Sequence, residues 1–378
     1  MSCKAAVVLG TRPEAIKLAP LILELEKRDD FDCITVLTAQ HREMSDDVLR
    51  LFGIVPTHDL DLMQPGQSLF DLSARLITGL RPVYEEERPD VVIVQGDTTT
   101  TFIASLAAYY LRIPVAHVEA GLRTADKHNP FPEEINRRLT SNLADLHFAP
   151  TETSKKALLA EHVPAESIIV TGNTVIDALL HIIDKAPPSD YLPAGLDPDR
   201  RWILVTSHRR ENWGAPLESI CHALRDLCER YDDIEIIYPV HPNPRVLETT
   251  SKLLAEVPNI HLVAPLEYLS FVHLMNAAKF IITDSGGIQE EAPSLGKPVL
   301  VIRDKTERPE AVEAGTVRLV GTSRERIVEQ ACELLDSEAT YNEMSRKHNP
   351  YGDGKACPRI ADAIFERWKS GTLAGTNG

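Results

Sequence analysis

No CxxC pair, Cys–His cluster or HxxEH motif occurs in the 378 residues, so neither a structural zinc nor a zinc hydrolase is indicated. The six cysteines, at positions 3, 33, 221, 228, 332 and 357, are dispersed as the reduced thiols of a cytoplasmic protein would be. A Lys/Arg-rich run is also missing. Against 40 basic residues stand 56 acidic ones, a net charge of −16 that repels nucleic acid and anionic membranes. An anionic ligand must therefore be met by a few placed cations and not by a general field. The apolar runs at 91–94 and 299–302 fall far short of the ~18 residues of a membrane helix. Thr11-Arg12-Pro13-Glu14 arrives before the core of a signal peptide could form. The expectation is a soluble cytoplasmic protein with no nucleic-acid or membrane partner. Without GxGxxG, a P-loop or a GxSxG elbow, dinucleotide, triphosphate-cradle and serine-hydrolase readings lack support.

What is present is a repeated alternation. Short β-branched runs, AAVVL (5–9), CITVL (33–37), VVIV (91–94), PVAHV (114–118) and SIIV (167–170), are separated by amphipathic stretches. Strands this apolar imply a parallel sheet covered by helices on both faces. PPSDYLPAGLDPD (187–199) interrupts the pattern as a linker would. It restarts with WILV (202–205), EIIY (235–238), NIHLV (259–263), FIIT (280–283), PVLVI (298–302) and VRLV (317–320). The length also suggests about two domains. The expected fold class is α/β, with two Rossmann-like domains whose parallel sheets face a central cleft. Ligands of such sheets sit beyond the carboxyl ends of the strands, so the residues that follow each run carry most information.

Those residues are chemically pointed. GTRPEAIK follows the first run and offers Arg12 and Lys17 near a helix start. QGDTTTT places Asp97 after a buried strand, where it suits either an N-cap or a proton-transfer role. HVEAGLRT places His117 and Glu119 at the next strand end, before a sequence that does not obviously open a helix. NPFPEEINRR puts Glu133 and Glu134 in a first helical turn, where carboxylates also complement the dipole. Carboxylates in different environments can divide into base and acid. In the second half, HRREN gives His208, Arg209 and Arg210 after a strand, as a diphosphate clamp or a solvated charge run. YPVHPNP holds His241 in a proline-constrained turn. In TDSGGIQEEAPSLGKPVL, Ser285, Gly286 and Gly287 open a helix whose donors suit phosphate. YGDGK (351–355) has the Tyr-x-x-x-Lys spacing of short-chain dehydrogenases, but Pro350, Gly352 and Gly354 oppose the helix that chemistry needs.

In this order GTRPEAIK, TAQHREM, QGDTTTT, HVEAGLRT, EEINR, GNTVIDAL, HRREN, ITDSGGIQEEAPSLGKPVL and ERPEAVEAGTVRLVG resemble the non-hydrolysing UDP-N-acetylglucosamine 2-epimerases from residue 5 to about 360. The resemblance implies a glycosyltransferase-B-like fold, with an N-terminal domain at 1–185, a UDP-binding domain at 199–357 and a helix and tail at 358–378 returning to the first domain. It implies interconversion of UDP-N-acetylglucosamine and UDP-N-acetylmannosamine with no cofactor and no metal, through elimination of UDP, a 2-acetamidoglucal intermediate and re-addition. The alternatives are a hydrolysing relative that releases UDP and a catalytically silent nucleotide-sugar sensor.

By motif position, Asp97, Glu119 and Glu133 correspond to the acidic catalytic residues, base and acid left undivided, and His208 to the group at the diphosphate. Arg12 and Lys17 match positive ligand-site positions. Ser285, Gly286 and Gly287 are expected at phosphate, Glu291 at the ribose diol, Arg308 at the nucleotide, and Leu266 and Phe271 at uracil. Glu290 is expected to be a surface or packing residue. Gln40, His41, Glu43, Arg209 and His241 are candidates for a second UDP-N-acetylglucosamine bound as activator, although Glu43 and Gly66 depart from the Gln and Arg of strongly activated members. A homodimer is implied in the same way.

Overall fold

The computed structural model describes residues 2–38, 42–62, 64, 66–124, 126–185 and 191–373. The chain divides into two units, Met1–His181 with Tyr351–Gly378, and Ile182–Pro350. Each is built on one parallel sheet with alternating helices, as the apolar runs require. The first contains β1 (Cys3–Leu9), β2 (Phe31–Leu37), β3 (His58–Asp59), β4 (Val91–Gln95), β5 (Val115–Val118), β6 (Leu146–Ala149) and β7 (Ile168–Val170), in the order β3-β2-β1-β4-β5-β6-β7. The second contains β8 (Arg201–Thr206), β9 (Ile234–Pro239), β10 (Ile260–Val263), β11 (Phe280–Thr283), β12 (Val299–Val301) and β13 (Val317–Leu319), in the order β10-β9-β8-β11-β12-β13.

Register is fixed by burial on both faces. Val7 of β1 lies between Thr35 of β2 and Ile93 of β4, and Ile203 of β8 between Ile236 of β9 and Phe280 of β11. β4 and β11 are buried end to end, and β1 and β8 are buried except at Lys4, Arg201 and Thr206. Val8, Val36, Leu80 and Val94 share one core; Ile203, Ile236, Phe280 and Leu300 share another. Each such side chain contributes on the order of 1.5–3 kcal/mol by leaving water.

Strand order reverses between β1 and β4 in the first sheet and between β8 and β11 in the second. At such reversals adjacent connections leave to opposite faces and open a crevice at the carboxyl ends. The residues following these strands are Gly10 to Lys17, Gly96-Asp97, Ser207 to Arg209, and Asp284 to Gly287. The motifs therefore converge on the switch point of their own sheet.

Helix Arg12–Glu26 opens with a capping box: the Thr11 hydroxyl accepts from Glu14 N–H, and the Glu14 carboxylate accepts from Thr11 N–H. The terminal helix Ala356–Lys369 packs against it. Phe365 stands 6.0 Å from Phe31, Arg28 pairs with Asp362, and buried Asp177 accepts from the N–H groups of Ala356 and Cys357. YGDGK is not helical; the helix starts only at Ala356. Among the described residues, no helix is long and apolar enough to cross a membrane.

Candidate active site

Glu119 follows β5 directly and adopts φ +61°, a left-handed conformation that a non-glycine residue keeps only when its surroundings hold it there. The next turn needs Gly121, since a Cβ at that position would fall 2.3 Å from the carbonyl oxygen of Ser154. Only 7% exposed, Glu119 receives donors from three elements. Lys17 Nζ lies 2.5 and 2.7 Å from its two oxygens, Asn173 Nδ2 donates at 3.0 Å, and Gln95 Nε2 donates as well. A buried carboxylate with a cation and two amides around it is an immobile negative group, already oriented for chemistry.

Asp97 does not cap the following helix. Thr98 does, its hydroxyl accepting from Thr101 N–H. The Asp97 carboxylate instead accepts from Arg137 Nε at 2.8 Å and Nη2 at 2.7 Å, and its carbonyl accepts from Asn136. Arg137 and Arg138 also bind Glu134, which is fully buried and accepts from Thr124 N–H. The two adjacent glutamates thus divide: Glu134 anchors the helix start, whereas Glu133 has a buried Oε2 with no hydrogen-bond partner among the described residues.

Burial pushes the Glu14 carboxyl up, against the opposing donation of Thr98, Thr11, Gly10 and Thr101. Glu14 thereby ties the turn after β1 to the turn after β4. Arg12 is half-buried beside it and has no hydrogen bond or ion pair among the described residues. Burial lowers His117 to about 3, and the neutral ring donates Nε2–H to Gly96 O at 2.7 Å, bracing the turn that carries Asp97. Arg123 is engaged by Glu161 and Ser141.

The second unit is organised by Asp284, fully buried after β11. It accepts from the backbone N–H groups of His208 and Arg209, from Asn212 Nδ2 at 2.9 Å and from Ser207 Oγ at 3.2 Å. His208 Nδ1 lies 2.7 Å from its Oδ1. Burial would raise this carboxyl, but His208 and the backbone donors outweigh it and hold Asp284 below the usual carboxylate range. The ring of His208 is thus aimed through Nδ1, with about half its side chain exposed.

Two guanidinium groups meet at Gly286. A Cβ there would lie 3.9 Å from Arg308 Nη2 and 4.0 Å from Arg209 Nη2. Arg209 also pairs with Glu307 at 3.2 Å, and Arg308 with Glu290. Glu290 is therefore not a surface residue: it is 3% exposed and forms a buried ion pair that orients Arg308. Ser285 and Gly287 flank Gly286, and Glu291 ends the short helix Gly286–Glu291 half-buried. Leu266 follows β10, and half-buried Phe271 lies in helix Tyr268–Ala277.

Gln40 and His41 lie outside the described residues, and Glu43 falls in helix Arg42–Phe52. His241 Nδ1 accepts from Asn243 N–H at 3.2 Å. Arg137, Gln95, Asn173 and Asp284 were not singled out from sequence. The spacing of Glu134 with Arg137 and Arg138, three and four residues on, offered a signal, as did the place of Gln95, Asn173 and Asp284 within QGDTTTT, GNTVIDAL and ITDSGG.

A sequence profile described as UDP-N-acetylglucosamine 2-epimerase matches residues 23–365. UDP-N-acetylglucosamine 2-epimerase of Escherichia coli strain K12 is 58% identical over 368 residues, 96% of this chain and 98% of the relative. The crystal structure of UDP-GlcNAc 2-epimerase from Neisseria meningitidis bound to UDP-GlcNAc is 48% identical, with a TM-score of 0.84 over 96% of this chain and 100% of that one. The S. aureus MnaA–UDP co-structure is 47% identical, with a TM-score of 0.83 over 100% and 99%. With the profile spanning most of its length and relatives this similar end to end, the chain belongs to the UDP-N-acetylglucosamine 2-epimerase family.

Proposed function

We propose that this chain interconverts UDP-N-acetylglucosamine and UDP-N-acetylmannosamine without net hydrolysis. In this reading a carboxylate of the set Asp97, Glu119 and Glu133 takes the proton from C2 while the C1–O bond breaks. UDP departs with that electron pair, and a C1=C2 double bond remains. A proton returns to C2 on the opposite face, and UDP re-adds at C1. Because the C2 hydrogen is not acidic, the step depends on stabilising the leaving diphosphate, a role for cations fixed in advance. We assign His208, Arg12 and Lys17 to that charge. Ser285, Gly286, Gly287 and Arg308 bind the phosphates, Glu291 the ribose diol, and Phe271 with Leu266 the uracil. Arg209, beside Arg308 at Gly286, joins this phosphate group as well as the activator set.

The observation that carries the reading is Glu119: buried, in a left-handed backbone conformation at the carboxyl end of β5, and held by Lys17, Gln95 and Asn173. That the Neisseria relative binds UDP-GlcNAc supports the choice of substrate. The test is turnover in deuterium oxide with product analysis. Deuterium at C2 of both epimers, without net UDP release, is expected, and Asp97→Asn or Glu119→Gln abolishes it while UDP still binds. Net UDP release would instead mark a hydrolysing enzyme, no exchange a silent sensor, and full activity of both variants would sink the catalytic assignment.

A further inference from the structure

The segment YGDG, rejected above as a dehydrogenase signature, lies against the turn after β7. There the Asn173 N–H donates to Tyr351 O at 2.7 Å. A Cβ on Gly172 (φ +88°) would sit 3.1 Å from Gly352 Cα, and one on Gly352 (φ +137°) would sit 3.4 Å from both Asn173 N and Gly172 Cα. A side chain on Gly172 would crowd the facing backbone, and Gly352 stands at a φ that side chains rarely adopt, so both positions favour glycine. Tyr351 is buried, and it begins the stretch with which the chain re-enters the first unit. Arg359, paired with Asp353, donates to Thr171 O, and Asp177 caps the helix that follows. The turn at 171–173 is thus held along its length.

What it holds up is an amide. Asn173 Oδ1 accepts from Val175 N–H at 3.2 Å, which fixes the orientation of the amide, and Nδ2 donates to Glu119 Oε1 at 3.0 Å. We propose that Asn173 is a positioning residue for Glu119, and that residues 351–354 form the clamp that sets it. The inference rests on the place of Glu119 in the proton-transfer set. An acceptor that must meet a carbon-bound proton needs its oxygens fixed, and small displacements lower the rate without weakening binding.

Asn173→Asp separates positioning from mere turn stability. It keeps the acceptor for Val175 N–H but replaces the donor to Glu119 with a second carboxylate. The expected result is a fall in kcat of at least about ten-fold with KM for UDP-N-acetylglucosamine little changed, while Tm falls because the new carboxylate is buried against Glu119. Deuterium incorporation at C2 slows in parallel. Wild-type kcat in this variant overturns the inference. Should it not fold, Asn173→Ser, which retains a cap acceptor but is too short to reach Glu119, is read in the same way. Gly352→Ala tests the clamp: a drop in kcat at constant KM is expected, and wild-type kcat removes the clamp from the account. Full activity of Glu119→Gln would remove Glu119 from the proton-transfer set and overturn this inference with it. An inactive Glu119→Gln beside a fully active Asn173→Asp overturns this inference alone.

Discussion

Asp284→Asn removes the charge on which the loop after β8 is built. Every group facing the native carboxylate is a donor: His208 N–H and Nδ1, Arg209 N–H, Asn212 Nδ2 and Ser207 Oγ. In either orientation an asparagine turns its NH2 toward some of these donors, so the loss exceeds one hydrogen bond. Breaking a buried, fully bonded ionic site costs about 3–5 kcal/mol, and even the lower figure corresponds to roughly a hundred-fold in an equilibrium constant. Titration calorimetry with UDP should show binding weakened on that scale, because His208 and Arg209 lose their anchor, and thermal unfolding should move to lower temperature. The pH dependence has a definite sign. Asp284 titrates below its ordinary value in the folded state, so its contribution is fully present above the unfolded value near 3.9 and is lost as pH falls through the folded one. The stability gap between wild type and variant is therefore constant from about pH 5 to 8 and narrows below about pH 4. Wild-type UDP affinity in the variant, or a gap that widens in acid, would refute the reasoning.

Gly286→Ala places a methyl group at ordinary contact distance from the Arg209 and Arg308 guanidinium groups, so the fold should tolerate it. The space for a phosphate shrinks, and KM for UDP-N-acetylglucosamine should rise by about ten-fold with Tm unchanged, as steady-state kinetics and calorimetry would show. His117, lowered to about 3 by burial, should show no titration between pH 5 and 9 by NMR. Because the unfolded chain binds that proton near pH 6.5, stability should fall by about 1.4 kcal/mol per pH unit from this residue as pH drops below 6, which acid-dependent unfolding measures.

The long buried strands were legible because they are continuous apolar runs. β3, with two residues at a sheet edge, gives too short a signal to separate from loop, and in β6 His147 interrupts the apolar run after a single leucine. Residues directly after strands were legible as candidates, since the topology of a parallel sheet puts them in one place. Their partners were not. Asn173 and Lys17 meet Glu119 across 54 and 102 residues, and Asp284 meets His208 across 76. No local periodicity encodes such contacts. Of the two places expected for Glu290, surface or packing, the structure takes the buried one, and Arg308, 18 residues on, pairs with it there. YGDGK was rightly refused a helix, yet its glycines have a use that spacing alone could not show: they let one backbone lie against another.

On the proposed function, the same partners explain how a chain with net charge −16 presents sites for an anion. Lys17 is held by Glu119, Arg137 by Asp97, Arg209 by Glu307 and Arg308 by Glu290. A cation on a flexible stem loses rotamer freedom when it binds; one already paired with a carboxylate, as Lys17 and Arg308 are with buried Glu119 and Glu290, has lost it on folding. The acidic surplus at these strand ends is therefore part of the cation sites. Neutralised pairs exert little long-range pull, so on the proposed function selection falls on geometry: the ligand offers oxygens where Arg209 and Arg308 converge at Gly286, not merely negative charge. Arg12, half-buried and without such a partner among the described residues, is the exception that leaves a cation uncompensated at the turn after β1, in the unit where Asp97 and Glu119 stand.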